Sequence, residues 1–420
     1  MPDLHPKIIR FIGAKDALSL PTLAEIDRIF EARPDVHAFQ RQFNKYDGTF
    51  HFNKAREIGP ADPAAAVSEF REGLKKSLIW YDTIATDILE AILSFDASRL
   101  SALKLREPDR KLITVLLGGM SWSGSSAVFD YLREFEETII FPDEFQHFRK
   151  EGSIISIAKD LNNRDALRQS LLSFYFRNVI GQSASADKWE NKAMKFARWM
   201  LLSASQRDVL AAFAVFIGKV IDTSVAGRLS PDSFQSYSQS YFRDLTRALA
   251  YGKRGRIFLC DNIIKINEIK KLNFLAPDFY FSVVRDPRDN FVARIRDDKS
   301  FNGNVESFIT AYRKTREGMK STCEELEVQL GQKVVTETIQ FEDFVMQEAT
   351  REQTAKKLSL CLDTHQQRSS FFPEQSAKNI GLFADQSWKK ECRLIRKRLD
   401  EFCVVDEIRG FPAGGPSPSL

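Results

Sequence analysis

The residues best suited to chemistry lie in a glycine- and serine-rich turn with the sequence GGMSWSGSS, at positions 118–126. The turn follows the apolar run ITVLL and precedes a stretch with the pattern of a helix. Such a turn presents main-chain N–H groups at a helix N-terminus, where the helix dipole favours phosphate or sulfate oxygens. We call residues 119–126 the Gly-Ser loop. Its predicted anion-binding residues are Gly119, Ser121, Trp122, Ser123, Gly124, Ser125 and Ser126.

The spacing within this loop limits the anion that it could hold. Gly119 and Gly124 have the spacing of a P-loop, but Ser125 stands where that motif has lysine. Because ATP-using enzymes place that lysine on the β and γ phosphates, a triphosphate is a poor candidate. A smaller 5′ group remains possible, and so does an ordinary strand-to-helix turn, which Gly and Ser also favour.

A second candidate site is the charged turn RDPRD at 285–289, which follows the apolar run FYFSVV. Ligands in open α/β sheets bind at the carboxyl ends of strands, where this turn is expected. The planar guanidinium of Arg285 suits a phosphate dianion because it can donate paired hydrogen bonds. The alternative is a solvated turn with internal ion pairs, in which Asp286 or Asp289 orients an arginine.

Together, the strand, the GxxxxGS[ST] loop, the helix and the later VVRDPRD segment resemble the sulfotransferase family that uses 3′-phosphoadenosine 5′-phosphosulfate (PAPS). The resemblance covers roughly residues 111 to 405. It implies that the Gly-Ser loop cradles the 5′-phosphosulfate of PAPS, that Arg285 binds the 3′-phosphate, and that no metal is needed. Two later segments, VVTETIQFEDFV and FFPEQSAKNIGLF, also resemble family elements. The second match places Lys378 and Asn379 near the phosphate or adenine of PAPS.

The chain departs from the family pattern at two positions. Trp122 replaces the basic residue that most members have before the SG of the loop, and Ala293 replaces a serine. Arg294 and Arg296 are possible local substitutes for that serine, and Arg294 is counted among the predicted PAPS-binding residues. If the protein is active, a cation from elsewhere must compensate for Trp122. Lys265 and Lys378 are candidates, although a lone lysine is usually a solvated surface residue.

The family needs a general base for the proton of the acceptor, and relatives often supply it after the first helix. Here that segment is TIIFPDEFQHFRKEGS, which contains Asp143, Glu144 and His147. Glu144 is the predicted base because it matches the E-[LF]-x-x-[FI] pattern of bacterial members. His147 is the second candidate, since histidine titrates near neutral pH. A capping or surface role for Glu144 remains the alternative.

The wider pattern predicts an α/β fold. From residue 111, short β-rich runs alternate with long helical stretches, which is typical of a P-loop-type three-layer sandwich with a central parallel sheet. We predict a helical N-terminal extension at 1–108 and a sulfotransferase-like domain at 109–408. A helical insertion is expected at about 150–250, and a disordered tail at 409–420.

Composition narrows the possible partners. The net charge of +4 comes from 61 basic and 57 acidic residues spread along the chain, which argues against nucleic acid. Five cysteines without a CxxC pair indicate neither a zinc site nor a disulfide framework. No run approaches the roughly 20 apolar residues that span a bilayer, and no signal peptide is apparent, so a cytoplasmic protein without an integral membrane segment is expected.

The predicted function is transfer of a sulfuryl group from PAPS to a hydroxyl or amine of a glycan, glycolipid or small molecule. The acceptor itself cannot be read from the sequence; four aromatic residues could stack on a sugar or belong to the core: Trp189, Trp199, Tyr237 and Tyr241. One alternative is a P-loop kinase or NTPase, because RIFLCD ends in Asp261, which could orient magnesium. The other is a non-catalytic nucleotide-binding protein with a sulfotransferase fold.

Overall fold

A computed structural model describes residues 49–75, 81–106, 110–140, 148, 152–181, 206–264, 266–329 and 335–404 of the chain. The chain divides into two units. The first comprises residues 1–112, 141–254 and 273–276, and the second comprises residues 113–140, 255–272 and 277–420. The N-terminal segment and the segment predicted as an insertion therefore fall in one unit. The predicted boundaries at 108 and 408 stay predictions.

The second unit contains a five-stranded sheet. Its strands are β1 (Ile113–Gly119), β2 (Thr138–Ile140), β3 (Ile257–Asp261), β4 (Phe279–Val284) and β5 (Val335–Gln340). All neighbouring pairs are parallel, in the order β2-β3-β1-β4-β5. Each strand overlaps one of the β-rich runs of the sequence, which are LITVLL, TIIF, RIFLC, FYFSVV and KVVTETIQF. The predicted α/β fold with a central parallel sheet is therefore confirmed.

Helices make up most of the remaining described chain. The α-helices are, in chain order, α1 (Thr49–Ile58), α2 (Pro63–Lys75), α3 (Asp82–Ser94), α4 (Ser125–Leu132), α5 (Ile154–Ile157), α6 (Arg164–Phe174), α7 (Gln206–Val225), α8 (Pro231–Ala250), α9 (Pro287–Asp297), α10 (Val305–Gln329), α11 (Phe341–Met346), α12 (Glu348–Lys357), α13 (Pro373–Ala377) and α14 (Lys389–Arg398). A π-helix follows α6 at Tyr175–Ile180, and 3-10 helices span Ile266–Phe274, Leu362–Thr364, Leu382–Ala384, Gln386–Trp388 and Asp400–Phe402. None of the helices that the structure describes is long and apolar enough to cross a membrane.

The two faces of the sheet are covered by different helices. On one face, Val115 and Leu117 of β1 pack in a buried cluster with Val128 and Leu132 of α4. On the other face, the hydroxyl of Ser282 in β4 contacts the sulfur of Met319 in α10. Because side chains alternate along a strand, the apolar runs bury both faces and produce the three layers expected from the sequence.

The first unit is a helical assembly with an aromatic core. Phe70 of α2 lies 6.0 Å, between ring centroids, from Tyr175 of the π-helix, and Tyr175 stacks on Phe213 of α7 at 5.5 Å. Tyr241 of α8 is almost fully buried and stacks on Phe216 of α7 at 5.1 Å. Tyr241 is therefore a core residue and is not available to stack on a sugar.

Candidate functional site

The Gly-Ser loop joins β1 to α4, as the sequence predicts. Ser123 N–H donates to the carbonyl of Met120 at 2.9 Å and closes a turn. Trp122 and Gly124 both adopt left-handed backbone, with φ of +62° and +88°. A Cβ at position 124 would also overlap the ring of Phe341. Only glycine meets both conditions, so its presence is explained by the path of the chain.

Several donors of this loop remain available for an anion. In the part of the chain that the structure describes, the amides of Gly124, Ser125 and Ser126 have no acceptor. The hydroxyl of Ser123 is buried and also has no partner there. Unpaired amides at a helix N-terminus favour binding of an anion. The buried Ser123 hydroxyl adds a further donor, and leaving such a donor without a hydrogen bond is costly.

Arg285 lies directly against the Gly-Ser loop. Its Nη1 donates to the carbonyl of Trp122 at 3.1 Å, and its Nη2 donates to the carbonyl of Asn379. The guanidinium carbon lies 5.2 Å from the centroid of the Phe341 ring. The structure thus brings together the loop, Arg285 and the segment 371–383, which we call the late loop.

The guanidinium of Arg285 is enclosed and incompletely paired. Only 4% of the residue is exposed, and its Nε has no hydrogen-bond partner within the described residues. Burial lowers the pKa of Arg285, although Asp289 and Glu342 nearby oppose the shift. A buried cation in this state would be stabilised by an arriving anion. Contact between Arg285 and a 3′-phosphate stays a prediction.

The carbonyl groups of the loop are turned towards α9. Asn290 Nδ2 donates to the carbonyl of Ser121 at 2.9 Å, while Arg285 holds the carbonyl of Trp122. Since these carbonyl acceptors are engaged, the amides of residues 124–126 and the Ser123 hydroxyl are left as free donors. Asn290 is not identified as a site residue from the sequence, because its only signal there is its place directly after RDPRD.

The RDPRD turn is buried, so the alternative of a solvated turn is wrong. Asp286 and Arg288 are both less than 3% exposed. The Arg288 Nε and Nη2 atoms donate to the two oxygens of Asp286 at 3.0 and 2.8 Å. Asp286 also caps α9 by accepting the amide of Arg288 at 2.9 Å. The expected internal ion pair is therefore present, with Arg288 as the arginine that Asp286 orients.

Asp289 fixes the late loop to α9. Its two carboxylate oxygens accept the amides of Gly381 at 2.7 Å and Phe383 at 3.1 Å. Lys378 and Asn379, the predicted PAPS-binding residues of the late loop, are exposed. Asp289 thus positions a segment whose polar side chains face solvent, close to the Arg285 contact with the Asn379 carbonyl.

Asp289 should make the stability of the fold depend on pH. Burial raises the pKa of Asp289 to about 7, although Arg285 acts in the opposite direction. The folded protein therefore binds this proton more tightly than the unfolded chain, whose aspartates titrate near pH ~4. We expect the contribution of Asp289 to the free energy of unfolding to fall as pH rises from about 4 to about 7, and to level off above. Urea unfolding of wild type and Asp289→Asn across this range measures the difference.

Asp385 provides the matched control for this measurement. It is a partly exposed aspartate whose pKa is lowered, chiefly by the hydrogen bond from the Ser387 amide. Its contribution should be present above pH ~4 and fall as the pH drops. The role of Asp289 would be contradicted if wild type and Asp289→Asn showed parallel pH profiles.

Arg294 lies beside the loop residue that replaces the usual basic side chain. Its guanidinium carbon is 6.0 Å from the centroid of a Trp122 ring and 4.3 Å from that of Phe301. Asp298 partly neutralises it, with an oxygen 3.3 Å from Nε. Arg296, the other suggested substitute, instead pairs with Asp385 at 2.9 Å. Only Arg294 of the two is seen near the loop.

Asp261 is connected to the loop through an asparagine. Asn262 has left-handed backbone, with φ of +48°, and its Nδ2 lies 3.1 Å from Asp261 Oδ2 and 3.3 Å from Ser125 Oγ. An amide donor thus stands between the carboxylate and the loop hydroxyl, where a magnesium-dependent enzyme would need a cation. Among the described residues, no group of three or more His, Cys, Asp or Glu side chains could hold a metal.

The structure does not describe the predicted proton-transfer residues or one of the two lysines predicted to compensate for Trp122. Glu144, His147 and Lys265 are outside the described residues, as is Asp143. Their roles stay predictions. The predicted tail at 409–420 and the aromatic residues Trp189 and Trp199 also lie outside the described chain.

Comparisons with known proteins assign no family. No family model and no curated protein matches the sequence. Function must therefore be inferred from the contacts among the Gly-Ser loop, Arg285 and the late loop.

Proposed function

We propose that the protein is a PAPS-dependent sulfotransferase that acts on a hydroxyl or amine of a glycan, glycolipid or small molecule. The observation that supports this most is the position of Arg285, which donates at once to a Gly-Ser loop carbonyl and to Asn379 in the late loop. Two segments far apart in the sequence thus meet at one guanidinium, next to a helix N-terminus with free amides. An elongated ligand with two anionic groups could bind the loop amides with one group and the Arg285 guanidinium with the other.

The residues present fit such a donor molecule. The free amides of residues 124–126 and the unpartnered Ser123 hydroxyl would hold one anionic group. Arg285, with its unpaired Nε, would hold the second, and the exposed Lys378 and Asn379 side chains would contribute at the late loop. When bound, PAPS supplies an activated sulfuryl group for transfer without further activation.

The protein's own contribution to the reaction is positioning and charge stabilisation. Negative charge that develops on the transferring group would be stabilised by the loop amides, with Lys265 or Lys378 as the cation that Trp122 does not provide. Glu144 would take the proton of the acceptor, with His147 as the other candidate base. A cytoplasmic location, expected from the sequence, would suit a glycan, a glycolipid precursor or a small metabolite as the acceptor.

A non-catalytic nucleotide-binding protein with the same fold is the second candidate. Trp122 favours it, because this residue stands where a basic side chain is expected and the nearby Arg294 already pairs with Asp298. A kinase or NTPase is less favoured because the loop lacks a lysine and because Asn262 bridges Asp261 and Ser125.

Binding of adenosine 3′,5′-bisphosphate, measured by calorimetry, tests the proposal. We expect wild type to bind this nucleotide with or without magnesium, and to bind ATP with magnesium far more weakly. Arg285→Ala should weaken the binding by about tenfold or more, since a hydrogen bond to a charged group contributes roughly 1.5–3 kcal/mol. Consumption of PAPS with a panel of acceptors separates the enzyme from the non-catalytic alternative.

Arg296→Ala is the matched control. Arg296 lies in α9, which begins two residues after Arg285, and carries the same charge, but it pairs with Asp385 at a half-exposed position. Its loss should leave nucleotide affinity unchanged. Equal affinity of the wild type and Arg285→Ala, or tighter binding of magnesium ATP than of the bisphosphate, would overturn the proposal.

A further inference from the structure

The first unit contains an arginine-lined cavity that the proposed function does not use. Its volume is about 180 Å³, several times the roughly 30 Å³ that one water occupies in the liquid. It is lined by Leu105, Arg106, Arg110 and Leu112, by Asp208 at the start of α7, and by the end of α8. The space suits a single ring with substituents and is below the usual range of pockets for larger ligands.

The charges that line this cavity are unequal. Three guanidinium groups, from Arg106, Arg110 and Arg247, face two carboxylates, from Asp208 and Asp244. The carboxylate of Asp208 is only 5% exposed, whereas the side chains of Arg106 and Arg247 are 45% and 39% exposed. The cationic groups are therefore the ones that solvent, and a ligand, can reach.

The lining carboxylates pair only loosely with Arg106 and Arg247. Asp208 is held by Arg207 from outside the lining, at 2.9 Å, while Arg106 lies 3.5 Å from its other oxygen. Arg247 is likewise 3.5 Å from Asp244. Close charge-assisted pairs are about 2.7–2.9 Å apart, so both arginines are held near the cavity by weak pairing that a stronger anion could replace.

An aromatic ring and apolar side chains complete the wall. Tyr251 is 51% exposed, and the guanidinium carbon of Arg106 lies 4.8 Å from the centroid of its ring. Leu105 and Leu112 also line the cavity. Stacking fixes the guanidinium of Arg106 in place, and the apolar wall could contact the body of a small molecule.

We propose that this cavity is a binding site for a small ring-bearing molecule with one oxyanionic group, such as a carboxylate or a phosphate or sulfate ester. The oxyanion is held by Arg106 and Arg247, and the ring lies against Tyr251 and the leucines. A nucleotide bisphosphate exceeds the volume, so the site is separate from the one proposed at the Gly-Ser loop.

Ligand-observed NMR and calorimetry with phenyl phosphate test this site. Wild type binds phenyl phosphate but not the neutral benzyl alcohol, and excess adenosine 3′,5′-bisphosphate does not displace the probe. Arg247→Gln and Arg106→Gln each weaken binding by about tenfold or more, because each removes a charged hydrogen-bond donor. Arg247 pairs weakly at a partly exposed position, so Arg247→Gln keeps the wild-type circular dichroism and melting temperature.

Arg243→Gln is the matched control, since Arg243 is an exposed arginine of the same helix that does not line the cavity. It leaves the affinity for phenyl phosphate unchanged. Absence of phenyl phosphate binding, equal binding of benzyl alcohol, displacement by the bisphosphate, or equal losses in Arg243→Gln and Arg247→Gln would each overturn the proposal.

Discussion

Gly124→Ala should destabilise the second unit and remove its affinity for adenosine 3′,5′-bisphosphate. The φ of +88° is unfavourable for alanine, and the new Cβ would overlap the ring of Phe341. Left-handed backbone costs roughly 1–2 kcal/mol, and overpacking a buried site adds about 1–3 kcal/mol. We expect a loss of about 2–5 kcal/mol in the free energy of unfolding, measured by urea denaturation.

The Phe341 ring has little freedom to move away from the new methyl group. It is 3% exposed and lies under the guanidinium of Arg285. Displacing it would disturb the contacts of Arg285 with the Trp122 and Asn379 carbonyls. The substitution should therefore weaken nucleotide binding even under conditions in which the variant remains folded.

Gly227→Ala separates the two causes. Gly227 also has left-handed backbone, with φ of +64°, but a Cβ there would meet no atom within 4 Å. We expect it to cost only about 1 kcal/mol and to leave nucleotide binding intact. Equal losses in Gly124→Ala and Gly227→Ala would show that backbone strain alone is responsible and that the contact with Phe341 is unimportant.

A double-mutant cycle with Phe341→Ala tests the contact itself. Removing the ring should cost about 3–5 kcal/mol by leaving a cavity. It should also relieve the overlap, so Gly124→Ala should be less damaging in the Phe341→Ala background. Additive losses would contradict steric coupling between the two positions.

The sequence was a good guide to the sheet because its signals are local. The run LITVLL is apolar and bounded by polar residues and glycine, and it forms a central strand buried on both faces. The Gly-Ser loop was predictable for the same reason, since two glycines and several serines between such a strand and a helix specify a tight turn. Local composition decides these features before any distant segment is considered.

The contacts around the loop were not predictable because they join distant segments. The carbonyl partner of Arg285 in the late loop is 94 residues away, and the amides that Asp289 accepts are 92 and 94 residues away. Nothing in RDPRD indicates whether a carboxylate will meet solvent, an arginine or a backbone amide. Asn262 and Asn290 were missed for this reason, since each is an ordinary polar residue until the fold places it beside the loop.

The burial of RDPRD changes how its charges should be understood. A solvated turn would hold arginines free to move, whereas here Asp286 and Arg288 fix the start of α9 and Asp289 fixes the late loop. The carbonyl of Arg285 in turn accepts the hydroxyl of Tyr312 at 2.5 Å. Arg285 is thus held in place before any ligand arrives. This lowers the entropic cost of binding, because the side chain need not be ordered by the ligand.

Asp286→Asn should destabilise the second unit by about 3–5 kcal/mol, because it removes the negative charge of a buried carboxylate that accepts two donors of the Arg288 guanidinium. The two carboxylate oxygens accept Nε and Nη2 of Arg288, and one of them also accepts the amide of Val404 at 3.0 Å. An asparagine keeps the size of the side chain but replaces one carboxylate oxygen by an NH2 group. That NH2 group would face an N–H donor that the oxygen now accepts. Urea denaturation at neutral pH measures the loss.

Asp385→Asn is the matched control, because it makes the same substitution in an ion pair of similar length at a half-exposed position. The Arg296–Asp385 distance is 2.9 Å, against 2.8 Å for the Arg288–Asp286 pair, but its side chains are 46% and 33% exposed, against 3% and 0%. Exposed pairs contribute about 0–1 kcal/mol. Similar losses in the two variants would show that burial does not raise the importance of Asp286, and the account of RDPRD as a rigid anchor for Arg285 would then fail.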